Sequence, residues 1–138
     1  LFTAARRDHV ERVIQPAMHA GKIVICDRFA DSTRMYQGLS RGDLRGKVDA
    51  LHDLMIGMEP DLTLLIDMDP AAALARARAR ATEEVRFEDF GVDLQERMRA
   101  GFLALARDFA DSMRVIDGNR EIDAVFAEVA ALVEAELA

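Results

Sequence analysis

Cysteine is almost absent from this chain. The single Cys26 leaves no internal disulfide and no zinc cluster to build, and His9, His19 and His52 lie far apart in sequence. That usage points to a reducing, cytoplasmic compartment and away from a His/Cys metal site. No apolar run approaches the about eighteen residues of a membrane span, and no signal-peptide pattern opens the chain, so no membrane partner is expected. Internal repeats, low-complexity tracts and Pro/Gly/Ser linkers are missing as well. Nothing divides the 138 residues, and one domain over 1–138 is the expectation.

What is present is a globular balance, 51% hydrophobic and 31% charged, which excludes disordered and collagen-like classes. A chain of this length buries roughly two-thirds of the surface its unfolded form exposes. The net charge of −7 is unevenly spread. Residues 1–45 carry eight Lys/Arg against five Asp/Glu, residues 46–75 and 100–138 each sum to −5, and residues 76–99 balance six arginines with six acids. An acidic chain lacks the contiguous basic face that a phosphate backbone needs, so no nucleic-acid partner is expected. Local arginine concentrations suit a small anionic ligand, or they solvate helix faces. Sixteen of the eighteen basic residues are arginine, which coding bias explains equally well.

Helical and strand periodicities alternate along the chain. Phe2, Ala5, His9, Val13, Ile14 and Ala17 recur at helical spacing, with Pro16 expected to bend that helix and Gly21 to stop it. Ile23-Val24-Ile25-Cys26 reads as a short strand buried on both faces. A helix follows through Val48, Leu51, Leu54, Met55 and Met58, then a strand over Leu62-Thr63-Leu64-Leu65-Ile66. Asp69-Pro70 supplies an N-cap and an N1 proline for a helix through Arg80. Leu94, Met98, Phe102, Leu105 and Phe109 mark another helix, Met113–Ile116 a third strand, and Ile122 to Val133 the last helix. Strands joined by helical crossovers mean an α/β fold with a parallel sheet.

An aspartate follows each strand: Asp27, Asp67 and Asp117. Ligands of open parallel sheets bind beyond the carboxyl ends of the strands. Asp67 and Asp117 read as turn chemistry, whereas Asp27 opens Asp27-Arg28-Phe29-Ala30-Asp31-Ser32-Thr33-Arg34-Met35-Tyr36-Gln37-Gly38. A guanidinium at a strand end beside a helix N-terminus makes an anion site. A carboxylate next to it orients that cation, or takes a divalent metal through water.

This segment resembles the signature of the thymidylate kinase family, ATP-dependent dTMP kinases of the P-loop nucleoside monophosphate kinase group. Residues 27–37 match its Asp-Arg, Ser-Thr and Tyr-Gln positions, although Met35 stands where the family has a small residue. Leu1-Phe2-Thr3-Ala4-Ala5-Arg6 is a second match. A third is Arg76-Ala77-Arg78-Ala79-Arg80, with Val85-Arg86-Phe87-Glu88 and Arg97-Met98-Arg99, which resembles the family's lid over residues 76–99. The resemblance implies a three-layer α/β/α, P-loop NTPase-like fold. No G-x-x-x-x-G-K-[ST] occurs here, and the chain opens on Leu1 inside a helical pattern, so a piece lacking the family's first strands and P-loop is expected. In that arrangement residues 113–116 pair beside 62–66, while 23–26 is separated from 62–66 by an absent central strand.

The resemblance also implies roles. Phe2 stacks on thymine and Arg6 bonds the base or reaches the phosphate; ordinary core packing is the alternative for Phe2. Arg28 binds the dTMP phosphate, and Asp27 orients it and stands near Mg2+ as a catalytic strand-end acid. Thr33 and Gln37 face the base edge, and Tyr36 packs on the deoxyribose. Arg86 is the expected catalytic arginine of phosphoryl transfer. Arg76 and Arg80 either stack on the adenine of ATP or solvate a helix, and Arg97 and Arg99 are placed to pair with Asp93 and Glu96. A homodimer through the helices at 3–20 and 43–58 completes the implied picture. Two alternatives stay open: a deoxynucleoside kinase of the same fold, and a non-catalytic fragment that keeps the sheet without the chemistry.

Overall fold

In the computed structural model, residues 1–38, 44–79 and 91–138 are described, and they fall into two compact units, Leu1–Glu59 and Pro60–Ala138. The first unit begins with α1 (Phe2–His9), which runs through a π-helical turn at Val10–Ile14 into α2 (Gln15–His19). Pro16 explains the turn. It has no N–H to give the carbonyl four residues back, and the ladder shifts to a five-residue step, with the Gln15 N–H on the Val10 carbonyl. The proline therefore reshapes the helix without ending it, and Gly21, at φ 70°, closes it.

Two further helices complete this unit, α3 (Ala30–Gly38) and α4 (Arg45–Met55). Its core is Val10, Ile14 and Ile56, with Val24, Phe29 and Met58 packed against it. The expected strand at 23–26 is corrected: these residues make no ladder among the described residues. Val24 reaches the core, whereas Ile23 and Ile25 are 66% and 94% exposed. A strand exists through its neighbours, and an apolar run without a paired edge does not become one.

The second unit holds a parallel pair, β1 (Thr63–Asp67) and β2 (Met113–Asp117), in register from Thr63 opposite Met113 to Asp67 opposite Asp117. This is the pairing expected of the two apolar runs. Between them come α5 (Pro70–Ala79) and α6 (Gly91–Asp108), and α7 (Ile122–Glu136) follows β2. Leu105, Ala106, Met113 and Ile116 are buried at the contact of α6 with the pair. Asp69 caps α5 as its sequence predicts: Oδ1 accepts from the N–H groups of Ala71 and Ala72 at 3.0 and 3.1 Å. Gly118 has to be a glycine, because a Cβ there would stand 2.8 Å from Ile66 Cγ2 and 3.0 Å from the Asp67 carbonyl oxygen. That approach lets the Gly118 N–H reach Asp67 O at 2.7 Å and tie the β2–α7 turn to the end of β1.

Candidate nucleotide site

Phe2 and Arg6 stand one helical turn apart on α1, so they share a face. Phe2 is 62% exposed. Arg6 crosses to the start of α3, where Nη2 donates to the Phe29 carbonyl at 2.9 Å and to Thr33 Oγ1 at 2.6 Å. Its guanidinium carbon lies 5.3 Å from the centre of the Phe29 ring, a cation–π contact. Burial lowers the Arg6 pKa below the usual arginine value, and the nearby Arg34 charge adds to that effect. A part-desolvated cation of this kind gains from an added carbonyl or anion.

The Asp27-Arg28 step is unusual in its backbone. Arg28 has φ 65°, the left-handed region that a long side chain rarely enters, while the Cys26 thiol donates to its carbonyl at 3.4 Å. Such a conformation costs of order 1–3 kcal/mol and tends to occur where a side chain must be aimed. Asp27 and Arg28 are exposed, and Tyr36 is part-exposed at 38%. Met35, in contrast, is buried. Asp27 is a single carboxylate, and no group of three or more His, Cys, Asp or Glu that could hold a metal occurs among the described residues. The side chain of Gln37, and Arg80 and Arg86 entirely, lie outside the described residues.

At the carboxyl ends of β1 and β2, Asp117 behaves as turn chemistry, its Oδ1 accepting from the Asn119 N–H at 2.9 Å and from Asn119 Nδ2 at 2.8 Å. Asp67 does not. Arg99 donates Nε and Nη2 to its two oxygens, each at 2.7 Å, and this bidentate contact holds the Asp67 carboxyl below the usual range. Arg99 thus pairs with neither Asp93 nor Glu96, and Arg97 donates to the Asp93 carbonyl at 3.4 Å. Arg76 donates to the carbonyls of Gly118, Asn119 and Arg120 at 3.0–3.3 Å, clamping the turn after β2. Its guanidinium edge is committed to that clamp.

Sequence patterns did not single out Arg34 and its partners. Arg34 is 3% exposed and sits amid Asp31, Asp49 and Glu59. An arginine inside an otherwise matched motif, one residue from Thr33, was the available signal.

A basic, part-desolvated constellation stands at the start of α3, and the second unit carries helices around a parallel strand pair, the make-up of an α/β protein. A family model described as thymidylate kinase matches residues 1–129, and the chain belongs to that family. The thymidylate kinase of Ruegeria pomeroyi is 69% identical over 133 residues, 96% of this chain and 63% of that protein. That of Dinoroseobacter shibae is 63% identical over 131 residues, 95% of this chain and 63% of that protein. The crystal structure of thymidylate kinase from Ehrlichia chaffeensis superposes with a TM-score of 0.73 at 33% identity, covering 96% of this chain and 61% of that one. The fold is therefore α/β and P-loop NTPase-like. The chain spans a little under two-thirds of the length of these relatives.

Proposed function

We propose that the complete protein transfers the γ-phosphoryl group of ATP to dTMP, giving dTDP and ADP. The observation that carries this reading is the Arg6–Thr33–Phe29 constellation beside Arg28, on a chain of the thymidylate kinase family. Phe2 offers an exposed aromatic face for stacking on thymine. Arg6 and Thr33 present donors to the base edge, the family motif assigns Gln37 to the same edge, and Tyr36 packs on the deoxyribose. Arg28 holds the acceptor phosphate and Asp27 orients it. A phosphate oxygen of dTMP then attacks the γ-phosphorus, and the bond to the bridging oxygen of ADP breaks. Arg86 stabilises the charge that develops on the transferring group, and Arg76 and Arg80 contribute to binding ATP. Mg2+ would neutralise charge on the ATP phosphates, and Asp27 is the residue that would hold it, through water.

The family resemblance carries the remaining assignments. The protein acts on small-molecule nucleotides in the cytoplasm as one kinase domain with a lid over residues 76–99. It is a homodimer through the helices at 3–20 and 43–58, where Val13, Leu51 and Leu54 are exposed. Among the described residues no helix is long and apolar enough to cross a membrane.

Turnover of dTMP with Mg-ATP by the full-length protein tests the reading, with Arg86→Ala alongside. The expected result is dTDP formation by the wild type. In the variant, kcat should fall steeply while dTMP affinity stays near wild type, because the Arg86 contact forms in the transition state. Equal losses in both would move Arg86 into the ground-state site, and no dTDP from the wild type would end the proposal.

A further inference from the structure

An ionic network centred on the buried Arg34 lies next to the Arg6 constellation. Arg34 donates Nε to Asp49 at 2.8 Å, Nη1 to Asp31 at 2.9 Å and to Glu59 Oε2 at 3.3 Å, and Nη2 to Glu59 Oε1. His52, also 3% exposed, braces the same carboxylate: its Nε2 lies 3.1 Å from Glu59 Oε1 and 3.1 Å from the Met58 carbonyl. A carbonyl only accepts, so Nε2 carries the proton, and the buried Nδ1 has no hydrogen-bond partner among the described residues.

Two routes lead from this network to Arg6. Along α3, Arg34 is the neighbour of Thr33, whose hydroxyl meets the Arg6 guanidinium. Through packing, the His52 ring stands edge-on to Phe29, with centroids 6.1 Å apart and planes at 90°. Phe29 in turn touches Arg6 with both its ring and its carbonyl. Helix α3 has nine residues, too few to be stable alone, so tertiary contacts must set its orientation. A guanidinium fork among carboxylates fixes direction in a way that apolar packing does not.

We propose that Arg34 and His52 are positioning residues for the nucleotide site. The Asp31–Arg34–Asp49–Glu59 network, braced by His52, fixes α3 so that Thr33 and Phe29 hold the Arg6 guanidinium ready for its ligand. The ligand itself rests on the function proposed above; the mechanical coupling to Arg6 does not.

The test is Glu59→Gln in the full-length protein. It keeps side-chain shape and leaves Arg34 with Asp31 and Asp49. The first readout is the side-chain nitrogen resonances of Arg6. Restricted guanidinium rotation is expected in the wild type and averaged signals in the variant. The second is a cycle with Thr33→Val. Glu59→Gln should weaken dTMP binding by about tenfold with Thr33 present and by less than about twofold without it, since coupled neighbours are non-additive. An Arg6 guanidinium still restricted in Glu59→Gln, or the same fold-loss in both backgrounds, would overturn the proposal. If Glu59→Gln does not fold, His52→Phe, which retains an aromatic ring beside Phe29, is judged by the same two readouts. Should the wild type leave dTMP unbound, the function proposed above fails, and the Arg6 resonances alone decide the positioning.

Discussion

Replacing Arg34 by methionine removes the charge of a 3% exposed side chain while keeping most of its volume. Breaking a buried ion pair by removing one partner costs about 3–5 kcal/mol, because the remaining charge is left without compensation. Here the stranded carboxylates of Asp31, Asp49 and Glu59 are 17%, 31% and 39% exposed, so water recovers part of their solvation. The lower end applies, about 3 kcal/mol at pH 7. The loss should also depend on pH. Burial pushes the Asp49 carboxyl up, but hydrogen bonds from Arg34 and Arg45 outweigh it and hold the folded value below the usual range. A depressed folded pKa contributes stability above the unfolded value of about 4 and loses it as pH falls through the folded value. Removing Arg34 removes part of that contribution, so wild type and variant should converge as the pH drops below about 4. Urea unfolding of both proteins at pH 7 and at about pH 3 measures this. A loss at pH 7 under about 1 kcal/mol, the size of an exposed pair, would refute the reasoning. So would a difference that does not change with pH.

Backbone geometry makes three further substitutions informative. Gly118→Ala should cost about 1–3 kcal/mol in thermal or urea unfolding, because its Cβ must displace Ile66 and the Asp67 backbone. Gly46→Ala meets nothing within 4 Å on α4 and should stabilise by up to about 1 kcal/mol; equal effects at the two glycines would contradict the packing account. Arg28→Gly relieves the φ 65° conformation while adding chain entropy to the unfolded state, so its stability should stay within about 1 kcal/mol of wild type. Its dTMP affinity should fall sharply, and a variant that unfolds instead would show Arg28 to be structural.

Much of the second unit was legible because its signals are local. Leu62–Ile66 and Met113–Ile116 are apolar runs of strand length, and Asp69-Pro70 is a cap whose partners lie two and three residues on. The Pro16 irregularity was legible for the same reason, since a missing N–H disturbs its own turn wherever the helix lies. What failed depended on distant partners. Ile23–Cys26 has strand composition but no ladder among the described residues. Asp67 looked like Asp117, yet its partner Arg99 comes from a helix 32 residues later. Arg34 and His52 were invisible to periodicity, which places charge on surfaces; only the fold brings Asp49 and Glu59 to the same guanidinium. The family motif marked Phe2, Arg6, Arg28 and Thr33, but not that Arg6 and Thr33 bond each other or that Arg28 sits at positive φ.

The central claim is a dTMP acceptor site built on α1, α3 and the Asp27-Arg28 step. Calorimetric titration of the full-length protein with dTMP and with thymidine, in wild type and Arg28→Ala, tests it most directly. The account predicts that dTMP binds more tightly than thymidine in the wild type. Arg28→Ala should weaken dTMP by about 2–5 kcal/mol through loss of a charge-assisted contact, while thymidine changes little. Equal binding of dTMP and thymidine, or unchanged dTMP affinity in Arg28→Ala, would contradict it.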